Sequence, residues 1–241
     1  MRVPLRLFGL LLAIALALLA ASWTARPAPA GTPTVAPTQE LAVLVRGQTA
    51  MSKPDNGSTP RVWVERLRPI TEGRTVLPVI GHRTGANGVR WLEVRLPGRP
   101  NNSTAWIRKA RTTRSLTSWH LVVDLSERRV TVYRRGKAMQ SFSAVVGAAA
   151  TRTPRGKFFV EESVRLTRGH VGGPFALGLS ARSYVYQEFA GGPGQIAVHG
   201  VWNVGGTMGT AASHGCVRLD TASITWIGAR IGPGVPVTIT S

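Results

Sequence analysis

The chain has 241 residues, 43% of them hydrophobic, enough to bury a core in one large domain or two small ones beyond any targeting segment. Thirty basic residues stand against 11 acidic ones, and the resulting +19 charge favours a polyanionic neighbour: nucleic acid, an anionic membrane surface or an anionic wall polymer. A single cysteine, Cys216, excludes an internal disulfide and any zinc site built on paired cysteines.

In chain order, Arg2 and Arg6 precede an apolar run from Leu7 to Ala21, interrupted only by Gly9. That length suits the apolar region of a signal peptide and is short for a membrane span. Small-residue cleavage options follow at Ala20-Ala21-Ser22 and Ala28-Pro29-Ala30. Residues 1–30 therefore read as a signal peptide, or as an N-terminal anchor if the run extends to Trp23, and no nearby cysteine could carry a lipid. The expected location is exported, in the cell wall or periplasm, with tethering by residues 7–23 as the alternative. Export removes nucleic acid from the expected partners and matches the basic charge to wall or membrane anions. Residues 31–39, continuing a Pro-, Ala- and Thr-rich stretch from Thr24, read as an extended linker.

A first unit, residues 40–112, has short apolar runs at Leu41–Val45, Arg61–Val64, Val76–Ile80, Trp91–Leu96 and Ala105–Ile107, separated by turn-forming clusters such as Pro54-Asp55-Asn56-Gly57. Trp91 to Leu96 alternates apolar and charged positions, as a half-buried strand should. The unit is expected to be small and all-β, without a catalytic residue set. Its stretch from Trp91 to Ile107, with Leu96-Pro97-Gly98-Arg99-Pro100 and Trp106-Ile107, resembles the small barrels of bacterial SH3-like domains. A basic hinge is expected at Arg108–Arg114.

The second unit, residues 118–241, predicts a strand pair at His120–Leu125 and Arg129–Tyr133, then strands at Gln140–Val146, Lys157–Glu161 and Gln195–His199. Asp220 can cap a helix from Thr221 to about Ile231, which Gly232-Pro233-Gly234 stops, and Val235–Thr240 closes as a strand. The fold class is mainly β with one convincing helix.

The residues with chemical potential are His199-Gly200 and the run Ser213-His214-Gly215-Cys216-Val217-Arg218-Leu219. A cysteine attacks a carbonyl as thiolate and needs a base or a positive environment. Imidazole has a suitable intrinsic pKa. His214, two residues before Cys216 on a tight turn, is expected to point away from the thiol, as a structural and substrate-side residue. His199 ends a strand and can approach from a facing element, so it is the expected base. Carboxylates are scarce: after Arg165 only Glu188 and Asp220 are acidic. The orienting group for His199 is therefore expected to be the Gly200 carbonyl, leaving no buried negative charge to oppose a stable thiolate. Backbone N–H groups of His214, Gly215 and Cys216 could line an oxyanion hole. Arg218 can meet a substrate carboxylate with a bidentate fork. An inert core thiol is disfavoured by Gly215 and the polar Ser213-His214. A zinc site of His199, His214, Cys216 and His170 fits no recurrent spacing. His82 and His120 read as structural.

These residues resemble the signature of L,D-transpeptidases of the YkuD type. The likeness extends over Ser118–Ser241 and includes the strand pair His120–Tyr133, Gly136, Val146-Gly147 and the turn Thr153-Pro154-Arg155-Gly156. It implies a β-rich fold and a thioester acyl-enzyme on Cys216, with a peptidoglycan tetrapeptide stem as donor. Terminal D-Ala is lost, and an amine of a neighbouring stem resolves the thioester into a 3→3 cross-link. In this pattern Cys216 is the nucleophile, His199 the base and Gly200 the source of the orienting carbonyl. His214 and Gly215 shape the oxyanion region, and Ser213 and Arg218 sit on the substrate side. A lid tyrosine corresponds to Tyr184 or Tyr186. The resemblance also implies acylation by carbapenems and no metal or organic cofactor. An L,D-carboxypeptidase, a wall-protein anchoring enzyme and a non-catalytic wall-binding protein are the competing readings.

Overall fold

Buried and more exposed positions alternate strictly in the strands Thr104–Arg108 and Gln195–His199. The computed structural model describes residues 33–189 and 191–241, so the expected signal segment or anchor at 1–30 lies outside the described residues. A first sheet contains β1 (Gln39–Leu44), β2 (Gln48–Met51), β3 (Pro60–Val64), β4 (Val76–Thr84), β5 (Arg90–Arg95), β6 (Thr104–Arg108) and β7 (Thr112–Thr117), in the order β3-β2-β6-β5-β4-β1-β7. The chain continues through β8 (Trp119–Asp124), β9 (Arg129–Arg134), β10 (Lys137–Ser143), β11 (Val146–Gly147), β12 (Gly156–Arg165), β13 (Phe175–Arg182), β14 (Gln195–His199), β15 (Ala211–Ser213), β16 (Val217–Arg218), the helix α1 (Thr221–Gly228) and β17 (Pro236–Thr240). Eight of these strands form a second sheet, β10-β9-β8-β17-β12-β13-β14-β16, while β11 and β15 form a separate parallel pair.

The expected hinge at Arg108–Arg114 is corrected here. Residues 112–117 form β7, which pairs with β1 from Gln39↔Thr117 to Leu44↔Thr112. An edge strand needs one hydrogen-bonded partner and little apolar content, so its exposed polar run concealed it. Part of the expected linker is also ordered: Val35 is buried with Val122 and Tyr133 of the second sheet. β13, which the sequence reading does not predict, carries Phe175, Leu177, Leu179 and Ala181 at period-two spacing with small or polar residues between them. The helix ends at Gly228, three residues early, where an added Cβ would lie 2.4 Å from the Phe175 ring. Asp220 caps its start, with Oδ1 accepting from Ser223 N at 2.8 Å, a contribution of about 1 kcal/mol.

β12 joins the two halves. Neighbouring strand residues point to opposite faces. Phe158 accordingly enters the second sheet's core with Val160, Leu177 and Ile224, while Phe159 enters the first sheet's core with Leu77, Leu92 and Ile107. Glu161, fully buried, accepts from Arg68 of the first half, from Arg182 Nη1 at 2.8 Å and from Gln195 Nε2 at 3.1 Å. A buried carboxylate needs several donors to offset its lost hydration, and here it has three.

Candidate active site

β14 alternates Ile196 and Val198 into the core with Gln195, Ala197 and His199 on the other face. It pairs in parallel with β16 as Val198↔Val217 and His199↔Arg218. Directly paired residues share a face. His199 and Arg218 therefore lie opposite the Val198/Val217 core layer, and Cys216, one residue before Val217, alternates to that same face. The Ala197 amide donates to Cys216 Sγ at 3.4 Å. The strand register thus puts sulfur and imidazole over one edge of the sheet, with Arg218 beside both.

His199 Nδ1 lies 2.7 Å from Gly200 O. A carbonyl can only accept, so Nδ1 carries the proton and Nε2 keeps its lone pair. Behind the ring, Gly200 N donates to Gly172 O at 2.7 Å and Gly172 N donates to Trp202 O at 2.8 Å. Gly172 has φ +82°, and a Cβ there would lie 2.6 Å from His199 Nδ1, so only glycine allows this approach. The Gly172-Gly173-Pro174 run was the sequence signal for this close contact.

The turn carrying Cys216 is braced from within. Thr153 Oγ1 donates to Gly215 O at 2.8 Å and accepts from Gly147 N at 3.0 Å. Thr151 Oγ1 donates to Ser213 O at 2.8 Å. Ser213 Oγ donates to Cys216 O at 2.5 Å and accepts from Gly215 N at 3.1 Å.

Two expectations are corrected by these bonds. Ser213 is not on the substrate side: its side chain is buried and closes the turn. The Gly215 amide is not free for an oxyanion because Ser213 Oγ already accepts from it. Gly215 itself sits at φ +119°, a conformation glycine adopts without strain. Thr153 opens the Thr153-Pro154-Arg155-Gly156 turn singled out in the sequence, but neither its bracing role nor that of Thr151 has a spacing signature, because each hydroxyl is committed to backbone partners.

A third correction concerns ionisation. Burial pushes the Cys216 thiol up, against the opposing pull of the Ala197 amide and the Arg218 guanidinium. Burial also pushes the His199 imidazole down, opposed by the Gly200 carbonyl and reinforced by Arg218. Both directions favour a neutral thiol beside a neutral imidazole over a preformed thiolate. Both shifts disfavour charge in a half-buried site.

Arg218 Nη1 reaches Gly205 O at 3.4 Å, while its Nε is buried without a partner among the described residues. His214 is exposed and packs in a triangle with two aromatic rings, Tyr186 at 5.9 Å and Phe189 at 6.1 Å. Tyr184 lies apart from that cluster, 65% exposed, on the wall of a cavity of about 500 Å³ with Val146, Gly147, Arg152, Thr153 and Ala211. The cavity adjoins the braced turn.

The L,D-transpeptidase catalytic-domain model (YkuD) matches residues 118–239. The YkuD protein of Bacillus licheniformis is 27% identical over 125 residues, 51% of this chain and 66% of its own length. That of Bacillus subtilis is 27% identical over 124 residues, 50% and 65% respectively. The match thus spans just under two thirds of these relatives. A solved L,D-transpeptidase from Mycobacterium smegmatis aligns at 17% identity and TM-score 0.43, covering 83% of this chain and 99% of that one. Because the family model covers half of the chain, the chain belongs to the YkuD family of L,D-transpeptidase catalytic domains.

Proposed function

We propose that this protein is an exported peptidoglycan L,D-transpeptidase that works through a Cys216 thioester and forms 3→3 cross-links. The observation that carries this reading is the register of β14 on β16, which sets Cys216 and His199 on one face. The bond from His199 Nδ1 to Gly200 O then leaves Nε2 free to take a proton.

The steps follow from that geometry. Nε2 accepts the thiol proton as sulfur attacks the carbonyl of the donor stem's diamino acid. Charge separation is thereby confined to the moment of attack, consistent with a resting pair held neutral by burial. The amides of His214 and Cys216 are the oxyanion donors in this reading. The imidazolium returns its proton to the departing D-Ala amine as the tetrahedral adduct collapses to the thioester. An acceptor amine, deprotonated by the same imidazole, attacks the thioester and releases the thiol. Arg218, whose buried Nε has no partner among the described residues, serves the stem's carboxylate. The first sheet acts as an SH3-like unit, and the +19 charge keeps the protein on anionic wall or membrane polymer.

Intact-protein mass spectrometry with a carbapenem tests the nucleophile: an adduct is expected on the native chain and none on Cys216→Ala. An adduct that persists in Cys216→Ala would end the thioester reading. Purified tetrapeptide muropeptides test the acceptor. Cross-linked dimers are expected, whereas tripeptides alone would make the protein an L,D-carboxypeptidase and protein conjugates an anchoring enzyme.

A further inference from the structure

The loop between β5 and β6 of the first sheet reaches across to the segment whose aromatic rings pack on His214 of the cysteine turn. Arg99 is its centre. Nη2 donates to Ser183 O and to Tyr186 O, both at 2.9 Å, and Nη1 donates to Pro193 O at 2.9 Å. Asn101 grips the root of the same segment from both sides, with Nδ2 donating to Arg182 O and Oδ1 accepting from Arg182 N, each at 2.8 Å. Gly98 N adds a bond to Ser180 O at 3.2 Å.

The segment held in this way presents Tyr186 and Phe189, whose rings pack on each other at 5.6 Å and on His214, two residues before Cys216. Around residues 184–189 the segment has little apolar anchorage of its own: Tyr184, Val185 and Phe189 are all more than half exposed. Its main-chain carbonyls converge on one guanidinium. A planar fork with five N–H donors can serve three acceptors at once, which a lysine ammonium on a flexible stem cannot reproduce in this geometry.

We propose that Arg99, supported by Asn101, is a positioning residue through which the first sheet holds the 183–189 segment as a lid over the cysteine turn. The first sheet thereby sets the affinity of the donor site, while the chemical step stays with the second sheet. The inference rests on the reading that Cys216 is the acylated residue.

The test uses the full chain with Arg99→Ala and Arg99→Lys. Acylation by a carbapenem is followed over a range of concentrations, and chymotrypsin cleavage after Tyr184, Tyr186 and Phe189 is followed in parallel. Arg99→Ala should raise the half-saturating concentration about tenfold, the loss expected for charge-assisted bonds, and leave the maximal rate within about twofold. Cleavage of the segment should accelerate about tenfold as its open population rises. Arg99→Lys should fall between the native protein and Arg99→Ala. Native half-saturation and native cleavage in a folded Arg99→Ala, or in Arg99→Lys should the alanine variant fail to fold, would overturn the proposal. So would a maximal rate that falls as far as half-saturation rises. If the native protein forms no adduct, the thioester reading fails, and the cleavage comparison still decides whether Arg99 holds the lid.

Discussion

The two sides of the site, the cysteine turn and the aromatic segment over it, are held by different forces. The turn is locked by strand register and by three hydroxyls, Thr151, Thr153 and Ser213, bonded to nearby main chain. The segment leans on side chains from a different sheet, Arg99 and Asn101, with exposed rings between. Buried bonds within one core tolerate little displacement, because a broken partner stays unsatisfied. Bonds made by an exposed guanidinium can be replaced by water. Under the proposed reading, reactivity and substrate affinity are set by separate parts of this chain.

Four experiments would break or sharpen that contrast. His199→Ala should slow carbapenem acylation by roughly 10²–10⁴, the usual loss for a general base, with an unchanged melting temperature. A folded variant acylating at the native rate would remove His199 from the mechanism. In the native protein the acid limb of that rate should lie below pH 6.5, the imidazole's ordinary value, because burial lowers the His199 pKa. Above that lowered value the base is unprotonated and available. A midpoint above 6.5 would contradict this electrostatic account.

Thr153→Val removes a buried hydroxyl that serves both Gly215 O and Gly147 N. It should cost about 1–3 kcal/mol in denaturant unfolding and slow the maximal acylation rate, with Thr153→Ser restoring both. If only half-saturation changed, the turn would belong functionally with the lid. Phe189→Ala, which takes one ring from His214, should raise half-saturation by only about two- to fivefold, the worth of one aromatic pair. A drop in maximal rate instead would blur the two-wall distinction.

His120→Gln should leave acylation unchanged and alter only stability against pH. His120 Nε2 lies 2.8 Å from Thr238 Oγ1, and burial, reinforced by Lys157, lowers its pKa from 6.5 to about 4. As pH falls from 6.5 towards 4, the unfolded chain binds the proton first. The native state loses up to roughly 3 kcal/mol over that window and none above it. The variant should show a smaller drop in unfolding midpoint between pH 7 and pH 4.5. Identical drops in both proteins would exclude His120 as the source.

Much of this was legible in the residues. The sequence predicts β14 at Gln195–His199 and the structure has the same bounds, because period-two alternation over five residues leaves no competing helix pattern. The Asp220 cap and the Gly200 carbonyl were foreseen because each acts on a sequence neighbour. β7 is hidden because an exposed polar edge strand lacks the apolar signal, whereas β13 carries period-two alternation that the sequence reading passes over. Ser213 was misplaced because a hydroxyl beside a reactive residue reads alike whether it faces substrate or its own main chain.

What the sequence by itself determined is local: strand alternation, the cap, the glycines of the turn, and the cysteine and histidine types able to do the chemistry. Only the tertiary structure decided which groups meet. It set the parallel register that puts Cys216 and His199 on one face, the burial that disfavours charge on both, and the reach of Arg99 from one sheet to the segment carrying Tyr186. The physical reason is that propensity and alternation act between near neighbours, whereas register, desolvation and long-range hydrogen bonds exist only once distant segments have packed.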